Sequence, residues 1–231
     1  MVSWREIARL AADGREPVAF LPGWATDCRI FGKTAVGCRG VFSPSSAPAR
    51  RCRDLADYIS KAGCGPVVLA GWSLGAFLAV EFAMKYPELV KRLVLAGVRR
   101  RFAHREIEDF RQRLNADRKA CLQRFYRTCF LPSQVADYRV FRRGLMLNYL
   151  TDMRMCDLMA GLDYLAEHEI SAESLPDRRT VFVHGGRDVI APVTEAEALA
   201  RECSGGKLLV RSDASHAVFL TKEFRSAVNN G

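Results

Sequence analysis

The segment PVVLAGWSLGAFLAV, residues 66–80, restricts the possible folds more than any other part of the chain. Its first five residues form an apolar, β-branched run that reads as a buried strand. The residues from 74 to 86, LGAFLAVEFAMKY, read as a helix. Only Gly71, Trp72 and Ser73 separate the two. A chain that turns from strand to helix over so few residues is tightly strained. Glycine is required there because side chains would collide with the neighbouring strand and helix. The single hydroxyl, Ser73, is thereby presented at the tip of an elbow as a candidate nucleophile.

The same alternation recurs along the chain. Short apolar runs bounded by turn residues predict strands over residues 17–21, 67–70, 92–96, 180–184 and 207–211. Helical patterns lie at residues 74–86 and 194–202, and SPSSAPAR, residues 43–50, is a loop leading into a helix over residues 51–62. The order strand, helix, strand, helix predicts an α/β fold with a mostly parallel sheet and helices on both faces. Residues 99–165 interrupt it with a helical, amphipathic pattern whose apolar positions include Phe110, Leu114, Leu122, Phe125, Phe141 and Tyr149. This predicts an inserted helical cap, dividing the chain into core residues 1–98, cap residues 99–165 and core residues 166–231. The 16 or so residues before the first parallel strand leave little room for further strands, and SWREIARLAADG suits a helix.

Charge narrows the partners. The net charge is +9, and the cap segment alone has 14 Lys/Arg against 8 Asp/Glu. Such a concentration favours an acidic partner. No zinc-finger, helix-turn-helix or RNA-binding signature is present, so an acidic protein is expected in preference to nucleic acid. The amino terminus, charged throughout, lacks a signal-peptide apolar core, and no uncharged apolar run approaches a membrane span. A cytoplasmic location and a monomer are the expectation. The eight cysteines form no CxxC pair, which predicts reduced thiols, several packed as small hydrophobes, and no metal site.

A serine hydroxyl needs a base, and the base an orienting acid. Of the four histidines, His216 in SDASHAVFL follows the last predicted strand and is the expected base. His184 closes a strand and suits a packing or capping role. For the acid, VFVHGGRDVIAP places Asp188 in the loop after a strand, with Asp213 as the second choice, too near the histidine in sequence to face its ring. Two N–H donors must stabilise the developing oxyanion. Leu74, directly after the serine, supplies one. Trp24, in VAFLPGWATD after the first strand, supplies the other, and its indole can also wall the pocket.

The PGW loop, the GWSLG elbow, the GGRDVIAP acid loop and the SHA histidine loop together resemble the α/β-hydrolase superfamily. Within it, the paired GW and GWSLG motifs, with LQRFYRTCF upstream of MAGLDYL in a basic cap, resemble the pimeloyl-acyl carrier protein methyl ester carboxylesterases of biotin synthesis. That resemblance implies a serine esterase, without cofactor, that cleaves the methyl ester of a pimeloyl chain held on an acidic acyl carrier protein. It implies a substrate site formed by Trp24, Ser73, Leu74, His216 and the stretch Phe125, Tyr126, Arg127, Thr128 and Cys129. Arg124, Arg139, Arg142 and Arg143 are the expected carrier-protein surface. Where the family often has histidine before the glycine of the oxyanion loop, this chain has Pro22. A general carboxylesterase, an acyl thioesterase and a non-catalytic binding protein are the competing readings.

Overall fold

The computed structural model describes residues 16–32, 48–63, 65–176 and 179–229. The expectation of an amino-terminal helix, and most of the loop 43–50, fall outside these. Five strands form one sheet: β1 (Val18–Leu21), β2 (Val67–Trp72), β3 (Val90–Ala96), β4 (Thr180–Gly185) and β5 (Lys207–Arg211). They lie side by side in chain order, and every pairing is parallel. Parallel neighbours require a crossover between them. Helices α1 (Pro48–Ala62), α2 (Leu74–Lys85), α8 (Val193–Glu202) and α9 (Lys222–Asn229) accompany the sheet.

The predicted strands match within two residues at each end, because apolar runs bounded by turn residues leave little freedom of register. Helix α1 begins three residues earlier than expected, at Pro48. A proline fits the first turn of a helix, where its missing N–H would have had no partner. Every residue of β2 is buried, as expected for a strand covered on both faces. β5 is half-exposed and carries Lys207 and Arg211 at its ends, charges that discourage edge-to-edge pairing.

Between β3 and β4 the described chain contains helices and no strand: α3 (His104–Ala116), α4 (Arg118–Thr128), α5 (Val135–Phe141), α6 (Leu147–Asp152) and α7 (Met155–Glu167), with a π-helical turn at Arg142–Met146 joining α5 to α6. The Asp117 side chain accepts from the Ala120 N–H and starts α4. Leu114, Leu122, Phe125, Tyr126, Phe141 and Tyr149 are buried together, while Phe102, Phe110, Leu145 and Met153 pack at the margin.

The register aligns the carboxyl ends of the strands. Gly71 lies opposite Leu21 on one side and Leu95 on the other, and Gly185 lies opposite Arg211. The loops that follow all five strands therefore emerge at one edge of the sheet, the usual place for a site in an open α/β fold.

Candidate active site

Ser73 joins β2 to α2 with φ 54° and ψ −120°, a conformation that a non-glycine residue rarely adopts. The backbone is fixed there by its N–H, which donates to the Ala96 carbonyl at 2.9 Å. The flanking glycines are obligatory. A Cβ on Gly71 would stand 2.7 Å from the Ala76 Cα, and one on Gly75 would stand 2.8 Å from the Pro22 carbonyl oxygen. Leu74 is the first residue of α2, so its N–H has no carbonyl four residues back to bond and remains available.

Asp188 and His216 meet at this edge. His216 Nδ1 lies 2.7 Å from Asp188 Oδ2, and both side chains are fully enclosed. The other carboxylate oxygen accepts from the backbone N–H groups of Ile190 and Ala191, each at 2.9 Å. Burial alone would raise the pKa of Asp188. The charge and hydrogen bond of His216, with the Ala191 N–H, outweigh it and hold the carboxyl below its ordinary range. The pair faces the elbow across the end of β3. Ser73 is tied to Ala96, and a Cβ on the next residue, Gly97, would lie 3.1 Å from His216 Nδ1. Trp72 reinforces the arrangement by donating its indole N–H to the His216 carbonyl at 2.8 Å. His216 Nε2 is buried and makes no hydrogen bond among the described residues, so no bond joins it to the Ser73 hydroxyl in this structure. Hydrogen bonds at such sites commonly close only when substrate is bound.

The remaining candidates separate clearly. Asp213 is exposed and paired with Arg211, away from the imidazole. His184 is buried, with Nε2 2.7 Å from the Ala191 carbonyl across the acid loop, and burial lowers its pKa. His168 stacks on Tyr164, and His104 is exposed at the start of α3.

Trp24 follows β1 and packs edge-on against Phe110 and Phe125. Its indole N–H donates to the Leu158 carbonyl on α7 at 2.8 Å. The close approach depends on Gly161, where a Cβ would fall 2.6 Å from the Trp24 ring. Within the same loop, Thr26 Oγ1 donates to the Gly23 carbonyl at 2.9 Å.

Ser73 and Trp24 line a cavity of about 350 Å³. Phe102, Phe110, Leu162 and Ile190 make its apolar wall, and Arg99, Glu106, Arg113 and Arg124 its polar part. Of the stretch 125–129, Phe125 and Thr128 line the cavity; Tyr126, Arg127 and Cys129 do not. The helix explains the split, since residues 121, 124, 125 and 128 form one stripe of α4. Tyr126 is turned to the Ala25 carbonyl, Arg127 lies over the Tyr138 ring, and the Cys129 carbonyl accepts from the Ala217 N–H at 2.9 Å. Arg99, paired with Glu106 and held over Phe102, went unseen in the sequence because its charge looked like solvated surface. So did Gln134, whose Oε1 accepts from the Ser215 N–H beside the histidine. Arg124, Arg139, Arg142 and Arg143 are all exposed, and among the described residues none forms an ion pair.

No group of three or more His, Cys, Asp or Glu side chains among the described residues is placed to hold a metal ion. No helix among them is long and apolar enough to cross a membrane. Cys52, Cys121, Cys129 and Cys203 are buried.

The chain as a whole is similar to known proteins in sequence and in fold. The profile of the Alpha/beta hydrolase family matches residues 2–227, and the chain belongs to that family. A bromoperoxidase from Bacillus anthracis superposes with a TM-score of 0.79 at 17% identity, covering 92% of this chain and 90% of its own. An esterase from Exiguobacterium antarcticum superposes with a TM-score of 0.74 at 19% identity, covering 92% and 89%. In sequence, a pimeloyl-[acyl-carrier protein] methyl ester esterase of Aromatoleum aromaticum is 31% identical over 67% of this chain and 68% of its own. One from Neisseria meningitidis is 29% identical over 90% and 89%. The protein is a carboxylic ester hydrolase.

Proposed function

We propose that the protein is a serine esterase that hydrolyses the methyl ester of a pimeloyl group carried on an acyl carrier protein. Ser73, His216 and Asp188 are its nucleophile, base and acid. The enclosed bond between His216 and Asp188, beside a serine in a forced elbow, is the observation that carries the chemistry. The names of the relatives carry the substrate.

His216 Nε2 takes the proton of Ser73 as Oγ attacks the ester carbonyl carbon. Asp188 fixes the tautomer of His216 and stabilises the imidazolium. The N–H groups of Trp24 and Leu74 receive the oxyanion. As the tetrahedral intermediate collapses, His216 returns the proton to the departing methoxy oxygen, and methanol leaves. Water, deprotonated by the same nitrogen, then attacks the acyl-serine and releases the free carboxylate and Ser73.

A cavity of about 350 Å³ is in the range for a small acyl chain. The helical segment acts as a cap over it. Arg124 sits at the cavity, and Arg139, Arg142 and Arg143 are exposed cations on the same segment, without an ion pair among the described residues, suited to steering an acidic carrier. The test is a substrate panel: pimeloyl-carrier methyl ester, p-nitrophenyl esters and acyl thioesters, with wild type and a variant carrying Arg139, Arg142 and Arg143, which lie outside the cavity lining, as glutamate. The expected result is preference for the carrier methyl ester, with the reversed variant impaired on that substrate alone. Equal impairment on every substrate, or preference for thioesters, would overturn the substrate assignment and leave a general esterase or thioesterase.

A further inference from the structure

Ser73 shares its left-handed backbone with one other described non-glycine residue, Ala25, at φ 56°. Ala25 directly follows Trp24, so its conformation sets how the oxyanion loop turns. An L side chain disfavours that φ, and something must hold the loop in place. The holding group comes from α4. Tyr126 Oη donates to the Ala25 carbonyl at 2.6 Å across 101 residues of sequence. The tyrosine itself is immobilised, fully buried among the rings of Phe125, Phe141 and Tyr149. Burial also raises its pKa, which keeps the phenol a donor. On the other side of the loop, the Trp24 indole is fixed to Leu158.

We propose that Tyr126 is a positioning residue for the oxyanion site: its hydroxyl pins the Ala25 carbonyl and thereby keeps the Trp24 N–H aimed at the reacting carbonyl. The proposal rests on the serine-esterase reading above. It gives the helical segment a role in the chemical step, separate from any contact with substrate. It also accounts for a buried tyrosine hydroxyl that the cavity does not use.

The experiment uses the full chain and p-nitrophenyl butyrate, with rates expressed per active site titrated to completion by a fluorophosphonate, so that loss of folded protein does not enter. Tyr126→Phe is expected to lower kcat about tenfold with KM within twofold of wild type. Affinity for a trifluoromethyl ketone, whose hemiketal oxyanion occupies the same site, should fall by the same factor. Affinity for an isosteric amide should not change. Ala25→Gly in the Tyr126→Phe background is expected to recover most of the loss, because glycine takes positive φ without a Cβ penalty. Wild-type kcat in Tyr126→Phe, equal losses for ketone and amide, or no recovery with Ala25→Gly would each overturn the proposal. Ser73→Ala is assayed alongside on total protein. If it hydrolyses the ester like wild type, the esterase reading has failed instead.

Discussion

The loops at the end of the sheet and the helices between β3 and β4 meet at one cavity, yet different physics specifies them. The loops are held by steric necessity over short distances. Gly71 and Gly75 leave no room for a side chain, Ser73 is tied to Ala96, and the Asp188 carboxylate is fixed by two N–H groups of its own loop. The helices are held by long-range contacts between side chains and backbone: Tyr126 to Ala25, Trp24 to Leu158, and Gln134 to Ser215. Changes in the loops should therefore disable the reaction. Changes in the helices should tune it or alter which substrate is accepted.

The largest effect expected from this contrast is at Asp188. Asp188→Asn keeps the shape of the loop but presents an amide to His216 and favours the wrong tautomer. A loss in kcat on the order of 10⁴-fold should follow, with little change in KM, measured by steady-state hydrolysis of a p-nitrophenyl ester. A loss below about tenfold would place the acid elsewhere. Glutamate at Arg139, Arg142 and Arg143, outside the cavity lining, should act differently, raising KM for the carrier substrate about tenfold at low salt and less at high salt. The same variant should leave kcat on small esters within twofold, and a large fall there would dissolve the distinction between the two regions.

A smaller, pH-dependent effect belongs to His184. Burial, the dominant cause, outweighs the raising influence of Asp188 and the Ala191 carbonyl, so its folded pKa lies below the ordinary 6.5. The unfolded chain then binds the proton first as pH falls. The resulting stability is complete above about 6.5 and lost as pH drops from there toward the folded value. Melting temperature is expected to fall between pH 7.5 and 5.5. His184→Gln, which keeps a donor toward Ala191, should flatten that slope. An unchanged slope would show that other groups govern it.

The same contrast explains what could be read from the chain. The strands, the elbow and the loops that bring Asp188 against His216 were legible because apolar runs, glycine sterics and loop position are local signals. The helical character of residues 99–165 was legible from periodicity. Which of its side chains enter the cavity was not. Phe125 and Thr128 line it while Tyr126 and Arg127 turn away, a division set by how α4 packs on the core. Gly161 reads as an ordinary helical glycine until the Trp24 ring is seen against it. Gln134 and Arg99 look like solvated polar residues until their distant partners, the Ser215 N–H and the Ile190 carbonyl, are in place.

Mass spectrometry of the protein after treatment with a fluorophosphonate tests the central claim most directly. Wild type is expected to gain a single adduct, mapped to Ser73. Ser73→Ala should gain none, and His216→Ala should label far more slowly because the hydroxyl has lost its proton acceptor. An adduct that persists in Ser73→Ala, or labelling of Ser73 at the same rate without His216, would contradict the account.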